Sequence, residues 1–278
     1  MITIGLTTWR EHQSLMPEKS ALTLGDYAGF FPVVEIDSLF YGLKTPAQVQ
    51  NWVNQVPSGF QFVVKALGTM TQHDREKEPT MALETVFKQY RQTIAPLVAA
   101  NKLQTILLQF PPFFKLEPAN VRYLNNLRHW LPKLPLAVEF RNPTWYEPRY
   151  VAQTISLLKR LQITLVVADE PQTNVNSVPF YPVVTNPKLA LLRLHGRNMA
   201  GWLNQDAKWR KTRTLYRYNT DELTAIAATV RQLATQAENV CIIFNNNSGG
   251  DAADNALALQ QILGLTFEGL APRQMDLW

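Results

Sequence analysis

The chain has 278 residues, 46% of them hydrophobic, which is enough to bury a large core. No apolar run approaches the roughly 20 residues that span a bilayer, and the first residues lack the pattern of a signal peptide, so we expect a cytoplasmic protein without membrane contact. The single cysteine, Cys241, excludes disulfides and cysteine-type zinc sites within one chain, and the excess of Lys plus Arg over Asp plus Glu, 27 to 22, is compatible with an anionic ligand.

Short β-branched runs alternate with longer segments of helical spacing. The predicted strands are 2–8, 33–40, 60–66, 105–110, 136–141, 164–169, 189–195 and 240–246. The predicted helices are 23–30, 46–55, 80–101, 118–130, 147–160, 220–238 and 252–263. Proline near the first turn, as in Thr45-Pro46 and Glu117-Pro118, fits the predicted helix starts.

This alternation predicts an α/β fold, a single TIM-like (β/α)8 barrel over residues 1–270, with an open doubly wound sheet as the alternative. The segment 170–188 is rich in proline and asparagine and has no helical period, so we expect no regular helix between strands 6 and 7. Pro272 discourages helix, so residues 271–278 are predicted to form an extended C-terminal tail.

Polar side chains end most of the apolar strand runs, and the carboxyl ends of barrel strands meet at one mouth. We interpret four of these groups as candidate catalytic residues: Glu35, Glu139, Asp169 and His195. His195 beside an acid is expected to titrate near neutral pH. The candidate ligand-binding residues at strand ends are Lys65, Gln109, Arg141, Arg193 and Asn245. The alternative is a buried salt-bridge network with a purely structural role.

The same residues do not decide whether the protein uses a metal cofactor. Three carboxylates and a histidine could hold Mg²⁺ or Mn²⁺. A divalent metal is nevertheless not favoured, because Lys65, Arg141 and Arg193 already supply positive charge at the predicted mouth.

Loops at the same end add further candidates. The segment 196–219 carries six basic residues and interleaved aromatics that include Tyr218, a pattern that suits a nucleic acid or another phosphorylated partner. The alternative is a solvated lid. His73 lies in a second long loop, 68–79, and Asn247 lies on the same face as Asn245 before Gly249 and Gly250. We include Tyr218, His73 and Asn247 among the ligand-binding candidates.

The last five residues resemble the short motif with which bacterial replication and repair proteins bind the β sliding clamp. In that interpretation the partner-binding residues are Gln274, Met275, Leu277 and Trp278. The alternative is that Trp278 packs on the barrel itself.

Ordered segments along the chain resemble the domain of unknown function 72 family, the YecE-like proteins. The matching pieces are 35–41 (EIDSLFY), 60–65, Thr71 with His73, 109–112 (QFPP), 138–141 (VEFR) with Trp145, Asp169, 193–196 (RLHG), Tyr216 with Tyr218, and 244–246 (FNN) with Asn255-Ala256. The resemblance covers nearly the whole chain and implies a TIM-like barrel, but it brings no established reaction. The chain departs from the family pattern at Asp37, where asparagine is common, and at Thr7-Thr8, where a Ser-Gly pair is usual.

Our leading hypothesis is a barrel that binds a phosphorylated or nucleic-acid ligand at its mouth and hydrolyses phosphodiesters in clamp-associated DNA repair. A lyase or isomerase acting on a sugar phosphate, and a non-catalytic adaptor, are the alternatives. Whether the protein is an enzyme stays open at this point.

Overall fold

The computed structural model describes residues 1–74, 81–173, 177–204, 206 and 212–273. Eight parallel strands close into a barrel in chain order, and β1 completes it by pairing with β8. The strands are β1 Ile2–Thr7, β2 Val33–Ile36, β3 Gln61–Lys65, β4 Leu103–Gln109, β5 Leu136–Glu139, β6 Ile163–Asp169, β7 Ala190–Leu194 and β8 Val240–Phe244. The predicted barrel is confirmed.

Helices occupy most of the connections between the strands. They are α1 Leu24–Tyr27, α2 Ser38–Tyr41, α3 Pro46–Asn54, α4 Leu83–Ala99, α5 Pro118–Trp130, α6 Val151–Arg160, α7 Met199–Leu203, α8 Thr220–Ala234 and α9 Asp251–Leu263, with 3-10 turns at Gln13–Leu15, Gly68–Thr71 and Pro143–Tyr146. Between β6 and β7 the described residues contain no helix, as predicted. None of the described helices is long and apolar enough to cross a bilayer.

The predicted second strand was too long. It ends at Ile36, and residues 38–41 form α2 instead. A short apolar run has the same composition in a strand and in a buried helical turn, so its period alone does not separate them. Side-chain caps fix other boundaries: Thr45 and Gln48 form a capping box at α3, and Asn219 and Glu222 form one at α8.

The barrel interior has an apolar layer below a polar one. The apolar layer consists of Val33, Val63, Leu107, Ala137, Val166, Leu189, Leu191, Cys241 and Ile243. Outward-facing strand residues, such as Leu192 and Leu194, pack in the larger core that includes the helices. Two residues further along β2, β3, β4, β5 and β7, the inward-facing side chains are polar and lie at the carboxyl-terminal mouth.

The described part of the C-terminal segment lies against the residues that follow α1. The Ala271 amide donates to the Ala28 carbonyl at 3.0 Å, and the Arg273 guanidinium lies 4.9 Å from the centre of the Phe30 ring. The four predicted clamp-binding residues, Gln274, Met275, Leu277 and Trp278, lie outside the described residues, so that interpretation stays a prediction.

Candidate functional site at the barrel mouth

Arg193 lies at the centre of the polar layer. It projects from the end of β7 and binds Glu35 of β2 with two hydrogen bonds, Nε to Oε2 at 2.8 Å and Nη2 to Oε1 at 2.5 Å. Its Nη1 donates to Oε2 of Glu139, on β5, at 2.5 Å. All three side chains have no solvent exposure. One guanidinium therefore joins three strands across the barrel.

Arg141 extends this network towards β6. Its Nη2 lies 2.6 Å from Glu139 Oε1, and its Nη1 donates to Oε2 of Glu170. The other oxygen of Glu170 accepts the Val178 amide at 2.7 Å, which anchors the connection between β6 and β7. We call the five residues Glu35, Arg193, Glu139, Arg141 and Glu170 the charged ladder.

The three carboxyl groups of the ladder differ in proton affinity. Burial raises the pKa of Glu35 to about 7 although Arg193 opposes the shift, and burial likewise raises the pKa of Glu170 to about 7. Burial opposes ionisation of Glu139 as well, but Arg141 and Arg193 together hold its pKa well below the usual value. At neutral pH Glu139 is thus a fixed anion, whereas Glu35 and Glu170 can exchange protons.

His195 stands beside the ladder but does not titrate near neutral pH, contrary to expectation. Burial, followed by the charge of Arg141, lowers its pKa to about 3, so the imidazole is neutral. Its Nε2 lies 2.9 Å from Arg141 Nη2 and 3.2 Å from Glu139 Oε1. A nearby acid was expected to raise the pKa of His195, but that acid, Glu139, is shared by Arg141 and Arg193.

Two half-buried amides cover the ladder on the mouth side. Gln109, at the end of β4, accepts a hydrogen bond from Arg193 Nη1 through Oε1 at 3.2 Å. The Asn245 amide, just after β8, lies 2.8 Å from His195 Nδ1. The structure therefore brings both predicted ligand-binding amides to the same opening.

Cationic side chains surround this opening. Lys65 Nζ lies 3.8 Å from Asp37 and 4.8 Å from the centre of the Phe40 ring, which also packs edge-on against His73 at 4.8 Å. Burial, followed by the charge of Lys65, lowers the pKa of His73 to about 4. His73 is therefore a neutral group whose Nδ1 lies 2.8 Å from the Thr71 hydroxyl.

On another side of the mouth, Arg141 and Arg213 both lie against the ring of Trp202. Their Cζ atoms lie 5.5 and 3.7 Å from the ring centre. Burial, followed by the charge of Arg141, lowers the pKa of Arg213 to about 10. Lys65, Arg141 and Arg213 thus form a cationic arc.

Asp169 is not part of the ladder. It is in register with Leu194 and points outward with it, whereas its neighbour Ala168 is in register with Arg193. Asp169 instead binds Arg197 with two oxygens at 2.9 to 3.1 Å and accepts the Tyr218 hydroxyl at 2.6 Å. Placing Asp169 in the interior layer was wrong by one residue, and Glu170 takes that place.

We call Asp169, Arg197, Tyr216, Tyr218 and Glu222 the outer cluster. Its groups are mutually paired: Arg197 and the Tyr216 hydroxyl both donate to Glu222, and the Gly196 amide donates to the Tyr218 hydroxyl at 2.9 Å. Gly196 has a φ of 85°, and a Cβ there would lie 2.5 Å from the Cβ of Tyr216. The predicted site residue Tyr218 is therefore a buried brace for the loop after β7.

The remaining predicted residue, Asn247, lies at the surface and donates to Glu11 at 3.1 Å. No group of three His, Cys, Asp or Glu side chains in the described ranges is arranged to hold a metal ion. The ladder carboxylates face guanidinium groups instead.

Comparison with known proteins identifies the family. The family model described as "Protein of unknown function DUF72" matches residues 3–276. The chain belongs to the DUF72 family. It is 41% identical over 282 residues to the UPF0759 protein YunF of Bacillus subtilis (strain 168), with both chains fully covered. It is also 26% identical over 246 residues to YecE of Escherichia coli (strain K12), with 78% of this chain and 85% of YecE covered.

Solved DUF72 structures have the same fold. A DUF72 protein of Enterococcus faecalis V583 superposes with a TM-score of 0.94 at 44% identity, covering 99% of this chain and 100% of that one. A DUF72 protein of Thermotoga maritima MSB8 superposes with a TM-score of 0.80 at 28% identity, covering 95% and 100%.

In this DUF72 protein, sequence reasoning missed Glu170 as part of the mouth. Glu170 could have been found from strand parity. Side chains alternate along a strand, so a residue that follows an outward-facing one points into the barrel. Trp202 is one of the aromatic residues of the basic segment 196–219, but its contacts with Arg141 and Arg213 depend on tertiary structure and could not be predicted.

Proposed function

We propose that the mouth of this barrel binds a phosphorylated ligand, and that single-stranded nucleic acid is the ligand class it fits best. The observation that carries the proposal is the cationic arc, in which Lys65, Arg141 and Arg213 surround one opening. Arg141 and Arg213 lie against the same Trp202 ring, and like charges so close repel one another, so an anion beside them is stabilised. Arg141 also belongs to the charged ladder, whose carboxyl groups are buried.

The rim above the arc favours a polynucleotide over a small phosphate ester. Tyr41 is 79% exposed and packs edge-on against Phe40, at 5.1 Å between ring centres. Met199, Leu203 and Leu215, in the connection after β7, are between 45% and 51% exposed. Bases stack on exposed aromatic and apolar groups, whereas a sugar phosphate would not need them.

A binding experiment tests this proposal. Lys65→Met is expected to weaken binding of a fluorescein-labelled oligothymidylate and to reduce the slope of log affinity against log salt by about 1, measured by fluorescence anisotropy. Lys188→Met is the control, because Lys188 carries the same charge beside Glu238 near the amino end of β7. Equal affinities and salt slopes for the two variants would contradict the proposal.

The rim is tested in the same assay. Tyr41→Ala should weaken oligonucleotide binding several-fold, since stacking contributes about 1–3 kcal/mol per base. Tyr150→Ala, which removes a tyrosine that is 38% exposed at the start of α6, should not. If Tyr41→Ala has no effect while inorganic phosphate still binds, a small phosphate ester becomes the better ligand class.

Hydrolysis of the bound phosphodiester is part of the proposal, with Glu170 as the group that can carry a proton at neutral pH. A lyase or isomerase acting on a sugar phosphate is the second candidate, favoured by the same exchangeable protons on Glu35 and Glu170. Release of shorter labelled products by the wild type but not by Glu170→Gln would support the hydrolase. Intact oligonucleotide after long incubation would reduce the proposal to binding.

Association with the β sliding clamp is proposed from the sequence of residues 274–278. Recovery of the clamp in a pull-down should fall when these five residues are removed. Equal recovery with and without them would contradict the association.

A further inference from the structure

The two amides over the charged ladder are each bound at one end and open at the other. Gln109 Oε1 is held by Arg193, and the Asn245 amide is held by His195. Both side chains are half-buried, and in the described part of the chain the outer ends of these amides have no hydrogen-bond partner. They are thus polar groups presented to whatever enters the mouth.

The orientation of Gln109 follows from the chemistry of Arg193. A guanidinium group only donates hydrogen bonds, so the carbonyl oxygen of Gln109 must face inward. Its NH2 group therefore faces the mouth with two donors.

The orientation of Asn245 follows from the tautomer of His195. Two guanidinium groups approach His195 Nε2, Arg141 Nη2 at 2.9 Å and Arg193 Nη1 at 3.5 Å. Glu139 Oε1 also lies 3.2 Å from Nε2 but forms no hydrogen bond with it, whereas Arg141 Nη2 meets Nε2 with hydrogen-bond geometry. The lone pair of the neutral imidazole therefore lies on Nε2, and its proton lies on Nδ1.

A proton on Nδ1 requires an acceptor. The Asn245 atom at 2.8 Å is Nδ2, which only donates. The two ends of an amide have nearly the same shape, so a half-turn of the group places Oδ1 against Nδ1 without changing the packing. The NH2 group of Asn245 then also faces the mouth.

We propose that Gln109 and Asn245 form an oxyanion-binding floor of N–H donors, and that Arg193 and His195 are positioning residues that set this polarity without touching the ligand. The floor takes a phosphoryl group. This inference rests on the proposed function and makes it more specific, because it names the residues that contact the phosphate.

The test reverses the polarity of one floor residue. Gln109→Glu keeps an acceptor for Arg193 but presents a carboxylate instead of an NH2 group to the ligand. We expect at least a tenfold loss of affinity for inorganic phosphate and for a 5′-phosphorylated oligothymidylate, measured by calorimetry and anisotropy. Gln104→Glu is the matched control, since Gln104 lies half-buried near the opposite end of the same strand. It should bind within twofold of the wild type.

A second measurement does not require the Gln109→Glu variant to fold. In ¹H–¹⁵N spectra of the wild type, the side-chain amide signals of Gln109 and Asn245, assigned by Gln109→Leu and Asn245→Ala, should shift as phosphate is added, and the Gln104 signal should not. If phosphate binds but these signals stay in place, or Gln109→Glu binds as well as Gln104→Glu, the floor is wrong and the proposed function stands. If the wild type binds neither phosphate nor oligonucleotide, the proposed function fails, and the floor with it.

Discussion

Two charged networks lie at the same end of the barrel, and they differ in direction. The charged ladder points to the barrel axis and carries two open amides on its upper side. The outer cluster points to the helices, and its charged and hydroxyl groups are paired with one another. A single position along β6 separates them, because Asp169 belongs to the cluster and Glu170 to the ladder. A polar residue at a strand end is therefore a site residue or a brace according to strand parity.

Removal of the central ladder cation should have the largest effect. Arg193→Met leaves Glu35 and Glu139 buried without their shared partner, and we expect a loss of about 3–5 kcal/mol in the free energy of unfolding. Chemical denaturation followed by circular dichroism measures it. Arg217→Met is the control, because Arg217 is 60% exposed where it pairs with Asp251, and it should cost less than about 1 kcal/mol. Similar losses for both variants would show that the ladder is not a buried network.

The ladder should also make stability depend on pH. The pKa of Glu170 is raised by burial to about 7, so the folded state binds more protons than the unfolded state between about pH 4.5 and 7. Its contribution to stability is fully present below that range and is lost as pH rises through 7. Between pH 5 and 8 the stability of the wild type should therefore fall by on the order of 1–2 kcal/mol relative to that of Glu170→Gln.

Denaturation curves of the wild type and of Glu170→Gln, measured between pH 5 and 8, test this prediction. Glu35 shifts in the same direction and His73 and His195 in the opposite one, but all three are present in both proteins, and the lowered pKa of Glu139 acts below the range. Parallel stability profiles would contradict the assignment of an exchangeable proton to Glu170.

The smallest effect should come from the outer cluster. Tyr218→Phe removes a hydroxyl that donates to Asp169 and accepts from the Gly196 amide, which should cost about 1–2 kcal/mol. Phosphate and oligonucleotide affinities should stay within twofold of the wild type, because the cluster faces away from the mouth. A large loss of affinity at unchanged stability would place Tyr218 back among the ligand-binding residues.

Much of the fold and part of the site could be predicted. The strand and helix pattern is local, so all eight strands were found, with an error at β2 where a short apolar run continues into α2. Strand parity correctly placed Glu139 beside Arg141 and Arg193 beside His195. The placement failed at Asp169, because its position at the predicted strand end was used without counting the alternation along β6, which turns Asp169 outward with Leu194.

By itself, the sequence determined the alternation of strands and helices, the lack of a helix in the described residues between β6 and β7, and the presence of polar groups at the strand ends. These properties depend on residues close together in the chain. Only the tertiary structure decided which polar groups pair, since Arg193 and Glu35 are 158 positions apart and meet only when the barrel closes. It also decided the protonation of His195 and the direction of the Gln109 amide, because both depend on where two buried guanidinium groups come to lie.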